Sequence, residues 1–228
     1  MHSNPYRKAT RRRGALGIVA GASLILGGCG GAPKVTLPAD MEESAALCYG
    51  AALALAQEQE GAKAISLDQA SHALHFVLLG ASSNGVGEPT KVDQIGARGK
   101  ELQHKFVTEK NAAGYTGPCA KAFPETQAGS FKQLPADNPD TRMMCYTLST
   151  ALLQIFAQSK IAPDPRAEAY VKLNDKLDKS LQTEMDSAGS DLNIAELSGR
   201  AMRGLAQAVR LGPTVDVMKA CGDRYVKS

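Results

Sequence analysis

Apolar residues recur three or four positions apart along most of the chain, a spacing that predicts helices and not strands. In the first half the predicted helices cover 42–59, 66–79 and 91–113. In the second half they follow the apolar positions from Met144 to Phe156, then cover 166–185 and 192–211, with a short fourth helix beginning at Gly212-Pro213. Aromatic residues make up 5% of the chain and Trp is absent, which favours close-packed helices over a sheet. The predicted fold class is all-α.

Turn and capping residues mark the ends of these helices. Gly61 is placed to end the first helix, and Ser66 with Gln69 has the spacing of a capping box at the start of the second. Gly117 and Pro118 are expected to break the chain just before Cys119.

The second half of the sequence repeats features of the first. The run Met144-Cys145-Tyr146 corresponds to Leu47-Cys48-Tyr49, 97 positions earlier, and the segments 118–123 and 220–225 correspond at a separation of 102. This pattern predicts a tandem duplication of a small disulfide-linked helical bundle, with three long helices and a short fourth per unit. The units are predicted at 41–126 and 138–228, joined by a Pro- and Gly-bearing linker at 127–137. Coincidence among Ala-rich helices is the alternative.

The N-terminus has the order of a secretory signal peptide. Basic residues at 7–13 precede an apolar segment at 15–26, which is too short to span a membrane, and small residues follow. The run Leu26-Gly27-Gly28-Cys29 resembles the lipobox of bacterial lipoproteins. That resemblance implies cleavage before Cys29 and acylation of this cysteine, so that 1–28 is a lipoprotein signal peptide and 29–40 a flexible tether. An ordinary signal peptide with an incidental cysteine is the alternative.

The charge balance excludes one class of partner. All five basic residues before Cys29 belong to the predicted signal, which leaves 21 basic and 23 acidic residues and a net charge of −2 instead of +3. No cluster of Lys and Arg remains of the kind that nucleic-acid binding needs. The predicted partners are therefore a membrane, through lipid on Cys29, and an envelope protein. In enterobacterial lipoproteins an Asp after the acylated cysteine retains the protein in the inner membrane. Because Gly30 stands at that position, the resemblance implies an outer-membrane location facing the periplasm.

Four cysteines remain for disulfides once Cys29 is assigned to lipid: Cys48, Cys119, Cys145 and Cys221. An even number of cysteines in an oxidising compartment predicts two disulfide bonds. We predict Cys48–Cys119 and Cys145–Cys221, one bond within each unit. The heights of the cysteines along an up-down bundle favour this pairing in the second unit. The first unit fits less well, because Gly117 and Pro118 leave Cys119 near the top unless the chain turns earlier. The exchanged pairing, Cys48–Cys221 with Cys119–Cys145, is the alternative.

Few residues have the spacing of a chemical site. His72 and His75 lie on one predicted helix and His104 on the next, a weak zinc or copper pattern that the second half does not repeat. Arg98 and Arg200 occupy corresponding positions and are candidates for binding an anion, although pairing with a neighbouring acidic residue is the more ordinary role. We expect no metal and no other cofactor.

No nucleophile motif or dinucleotide fingerprint occurs, so catalysis is not expected. The sequence predicts a non-catalytic, membrane-anchored envelope lipoprotein that acts as a partner-binding or scaffold module. A small-ligand or metal-binding periplasmic lipoprotein is the alternative.

Overall fold

The computed structural model describes residues 35–61, 63–158, 161–188 and 194–227, and the regular structure within these ranges is helical. The predicted all-α class is confirmed. The helices are α1 (Met41–Glu60), α2 (Leu67–Ala81), α3 (Pro89–Glu109), α4 (Thr116–Ala122), α5 (Pro139–Gln158), α6 (Pro165–Ala188), α7 (Ile194–Val209) and α8 (Thr214–Tyr225). Short 3-10 turns at Ala112–Tyr115 and Pro124–Thr126 flank α4, and a single parallel bridge joins Ile65 to Ile161.

The sequence identified two of the helix ends correctly. Gly61 ends α1 with a positive φ of 64°, and its N–H donates to the Gln57 carbonyl at 2.8 Å. Ser66 and Gln69 form the complete capping box of α2, with bonds of 2.8 and 3.2 Å. Asp40, which was assigned to the tether, is the N-cap of α1 and accepts two backbone N–H groups of its first turn.

The chain between α3 and α4 differs from the sequence prediction. Helix α3 ends at Glu109, four residues early, because Lys110 adopts a left-handed conformation with φ 52°. Gly117 and Pro118 do not break the chain but lie in the first turn of α4, where proline is tolerated because its missing N–H has no helical partner. The early turn allows α4 to run back beside α1.

Each half contains one disulfide, and the pairing is the one predicted. Cys48 in α1 is bonded to Cys119 in α4, and Cys145 in α5 is bonded to Cys221 in α8. The Cα atoms are 5.6 and 5.9 Å apart, within the usual range for disulfides. The bonds close loops of 71 and 76 residues, and loops of this length stabilise a fold by a few kcal/mol through loss of entropy in the unfolded chain.

The order of packing is the same in both halves. Helix α1 packs against α2 and α3, and α5 packs against α6 and α7. Arg98 of α3 pairs with Glu43 in the first turn of α1 at 3.0 Å, and Arg200 of α7 pairs with Asp140 in the first turn of α5 at 2.6 Å. Glu43 and Asp140 are 97 residues apart, the same offset as Cys48 and Cys145. These equivalent ion pairs support the proposed duplication.

Helices α1 and α3 approach until their backbones touch, because glycines lie between them. A Cβ on Gly50 would lie 2.6 Å from the Gly99 carbonyl oxygen, and a Cβ on Gly99 would lie 2.3 Å from the Tyr49 ring. The face of α1 that is buried consists largely of small residues. Glycine, which lowers helix propensity, is therefore required by packing at these positions.

Helix α2 joins the two halves. Twelve of its fifteen residues are buried, and it packs against α1, α3, α7 and α8. The buried His75 ring lies 2.6 Å from the Val209 carbonyl oxygen, at the end of α7. In return, Arg210 donates to the Ser82 carbonyl oxygen at 2.7 Å, at the end of α2. A side chain of α2 thus binds the last carbonyl of α7, and the residue after α7 binds the carbonyl of the residue after α2.

The segment 127–137, predicted as a linker, lies along the second half. The Lys132 N–H donates to the Leu211 carbonyl at 2.6 Å, Leu134 is buried, and the Tyr225 hydroxyl donates to Asp137 at 2.9 Å. Gly212, with φ 138°, has no room for a side chain because a Cβ would meet the Phe131 backbone at 2.5 Å. Residues of both halves thus belong to one continuous core.

A helix that crosses a bilayer needs about 20 predominantly apolar residues. In the described ranges, no helix combines the length and the apolar content that crossing a bilayer requires.

The contact between α1 and α3 can be tested with two alanine substitutions in one helix. Gly99→Ala should lower the free energy of unfolding by about 1–3 kcal/mol, because the added methyl overpacks against Tyr49 and the Ala46 carbonyl. Gly96→Ala is the matched control, since a Cβ there meets nothing within 4 Å, and it should raise stability by about 0.5–1 kcal/mol. Urea unfolding followed by circular dichroism measures both, and equal effects would contradict the packing described here.

Candidate functional site

A cleft of about 220 Å³ opens between α1, α2 and α4. Its floor on α1 is formed by alanines and Leu55, whose small total volume leaves space against the neighbouring helices. The Cys48–Cys119 disulfide ties α4 to α1 along the same cleft, while the rings of Phe76 and Tyr115 contribute to its walls. Phe76 makes an edge contact with Phe123 at a ring-centroid distance of 5.5 Å, and Tyr115 packs against Phe106 in a tilted arrangement at 4.7 Å.

The polar groups of this cleft are uncharged at neutral pH. They are the amides of Gln59, Gln69 and Gln127, the hydroxyls of Tyr115 and Thr116, and the imidazole of His72. Gln69 donates to Gln59 at 3.1 Å and so fixes two of the amides. The carboxylate of Glu60 lies 3.4 Å from the Gln69 amide but does not line the cleft. The cleft can therefore bind hydrogen-bonding groups without supplying a counter-charge.

A second groove, of about 420 Å³, lies between α6 and α8. Its interior is apolar and includes Leu173, Met218 and the buried Tyr170, whose pKa is raised to about 12 by burial. Charged residues of both signs form its rim, and most are paired with one another, as Arg166 is with Asp68 at 2.7 Å. The two grooves thus occupy related places in the two halves but differ in charge.

The two candidate anion-binding arginines do not form one site. Arg98 lines a depression together with three acidic residues, Asp40, Glu42 and Glu43, so its surroundings disfavour an anion. The depression around Arg200 contains Arg203 and a single acidic residue, Asp140. Arg98 and Arg200 each pair with an acidic residue on a neighbouring helix, which is the ordinary structural role considered in the sequence analysis.

The three candidate metal-binding histidines are not brought together. His75 is buried and bonded to α7, whereas His72 is exposed at the α1–α2–α4 cleft and His104 is exposed on α3. The described residues contain no group of three or more His, Cys, Asp or Glu side chains with the geometry to hold a metal ion.

Burial holds His75 neutral. Loss of hydration lowers its pKa to about 4, and the hydrogen bond to Val209 only partly opposes this shift. In the neutral ring, Nε2–H donates to the Val209 carbonyl, which assigns the unprotonated position to Nδ1. His75 therefore acts as a structural contact between the halves, and not as a metal ligand.

The sequence could not reveal the α1–α2–α4 cleft. Its lining comes from α1, α2, α4 and the segment after α4, and glutamines and alanines at unrelated positions form no motif. Among the residues that line the cleft and carry a polar side chain, the sequence drew attention to His72, but as a candidate ligand for zinc or copper.

Comparisons with protein-family models, with curated proteins and with solved structures find no match to this chain. The function is therefore inferred from the sequence and the geometry.

The buried imidazole makes stability depend on pH. Below about pH 6.5 the unfolded chain binds a proton at His75 while the folded protein does not, so the free energy of unfolding falls as pH decreases towards 4. The total loss is about 3 kcal/mol for a shift of this size. His75→Gln should be less stable at pH 7 but should lose this part of the pH dependence, whereas His104→Gln, at an exposed position, should retain it. Urea unfolding at pH 7, 6 and 5 measures the slopes, and parallel slopes for His75→Gln and the parent would contradict the assignment.

Proposed function

We propose that the chain is a non-catalytic lipoprotein of the bacterial cell envelope, with a rigid helical body that binds a partner. The lipobox-like run ending at Cys29 carries this proposal. Lipid on Cys29 anchors the body to a membrane, and Gly30 favours the periplasmic face of the outer membrane. A stable anchor needs two signals, and a cysteine acylated at both its thiol and its amine supplies them.

The disulfides give independent support. Of the five cysteines in the chain, four are paired as Cys48–Cys119 and Cys145–Cys221, so these pairs leave Cys29 for lipid. Disulfides persist in oxidising compartments and are rare in the cytosol, which agrees with a protein exported by its N-terminal segment.

The described N-terminal residues also bear on how such an anchor would act. From Val35 onward the chain lies against the body: Leu37 packs on the core, and the Ser44 hydroxyl donates to the Pro38 carbonyl at 2.8 Å. Only the six residues 29–34 then separate the lipid from the body, and six residues reach at most about 20 Å. The proposed anchor therefore holds the body close to the bilayer, with a shorter tether than the sequence predicted.

Binding of a small molecule is the second candidate function. The α1–α2–α4 cleft favours it, because a concave, largely apolar space with a few hydrogen-bonding groups is typical of small-ligand sites. Both candidates are non-catalytic, and an anchored ligand-binding protein would combine them.

The anchor is tested by one substitution. Full-length protein expressed in a bacterial host should lose residues 1–28, gain acyl mass on Cys29 and partition into the detergent phase. Cys29→Ser should abolish all three changes, because serine has no thiol to accept the lipid. Cys48→Ser is the control for cysteine loss, since it removes a disulfide partner and should leave processing intact. An intact mass showing cleavage elsewhere, without acyl mass, would refute the lipoprotein assignment.

A further inference from the structure

We propose that the α1–α2–α4 cleft binds a small neutral molecule that has an apolar ring and one uncharged hydrogen-bonding group. This inference rests on the second candidate function, small-molecule binding in this cleft, and does not depend on the membrane anchor, because it concerns only residues of the helical body.

The size of the cleft sets the size of the ligand. An engineered apolar cavity of about 150 Å³ accommodates benzene, so a space of about 220 Å³ admits a ring with a small substituent. The ring would lie over Ala51, Ala52 and Ala56, where side chains of one carbon leave room for it. Phe76 and Tyr115 offer aromatic faces or edges to the same space.

The walls of the cleft are fixed before any ligand enters. The Cys48–Cys119 disulfide holds α4 against α1, with the two cysteines only 1% and 4% exposed. The Ser66–Gln69 capping box fixes the start of α2, and Gln69 in turn positions Gln59. A preformed site loses little ordering entropy on binding, which favours affinity for a small ligand.

The lining selects against charge. No Asp, Glu, Lys or Arg is among the residues that line this cleft, in contrast to the groove between α6 and α8. Although part of His72 is exposed, loss of hydration at its ring lowers its pKa below the ordinary value, so the ring stays neutral at physiological pH. An ion entering the cleft would lose hydration without gaining an opposite charge, a loss that exceeds what a neutral hydrogen bond returns. Glutamine side chains offer a donor and an acceptor together, which complements an amide or a hydroxyl group.

Three probes of equal size test the charge preference. Benzamide is neutral, benzoate is an anion and benzylammonium is a cation. The protein is used as it is isolated: in phosphatidylcholine nanodiscs if Cys29 is acylated, so that no detergent competes for the cleft, and in buffer if it is not. Saturation-transfer NMR gives the dissociation constants. We expect a dissociation constant below about 1 mM for benzamide, and dissociation constants at least tenfold higher for both ions.

Matched substitutions locate the binding. Ala52→Phe should fill the cleft and abolish benzamide binding, while Ala169→Phe, which adds the same side chain to the groove between α6 and α8, should leave it unchanged. Circular dichroism checks that both variants fold. Gln59→Glu, at an exposed position on the rim, adds a carboxylate and should improve the binding of benzylammonium relative to benzamide by about tenfold.

The outcomes separate this proposal from the proposed anchor. Absence of benzamide binding, equal binding of benzoate, or binding that survives Ala52→Phe would each overturn the cleft assignment. None of these results would affect the mass of the acylated N-terminus, which tests the anchor by itself.

Discussion

The burial of α2 is the constraint on which the rest of the structure depends. A helix with apolar residues around its whole circumference must be surrounded, and α2 is enclosed by α1 and α3 on one side and by α7 and α8 on the other. The second half provides partners for two buried polar groups of α2, the His75 imidazole and the Ser71 carbonyl. The His75–Val209 bond connects the middle of α2 to the end of α7, and the Arg210–Ser82 bond connects the residues that follow these two helices. The two halves therefore share one core although each has its own disulfide.

Small residues determine how the helices are arranged around α2. Gly50 and Gly99 allow α1 and α3 to touch along their backbones, and Gly80 brings α2 to Ala45, where a Cβ would be only 2.4 Å away. The small side chains of α1 also leave the α1–α2–α4 cleft open, on the face of α1 that α3 does not cover. Close packing and an unfilled space thus have a common cause in the Ala-rich sequence of α1 and its Gly50.

The sequence predicted the features that depend on local spacing. Helix positions, the Ser66–Gln69 capping box and the disulfide pairing follow from apolar periodicity, capping chemistry and helix rise, and the structure confirms them. The left-handed Lys110 carries no comparable signal, since lysine is not a residue that favours positive φ. The partners of α2 and the lining of the cleft could not be predicted either, because they depend on how distant segments pack. The lipobox-like run, by contrast, concerns a segment outside the described residues and remains a sequence prediction.

Both halves should fold as one cooperative unit through α2. Native-state hydrogen exchange at increasing urea concentration, read by mass spectrometry on peptides from α2, α5 and α7, tests it directly. Exchange of the buried amides of all three helices should converge on one opening free energy, since α2 cannot be exposed without breaking its contacts with α7 and α8. If α5 and α7 retained protection under conditions in which α2 and α1 had already exchanged, the halves would be independent bundles. That result would contradict a single cooperative unit.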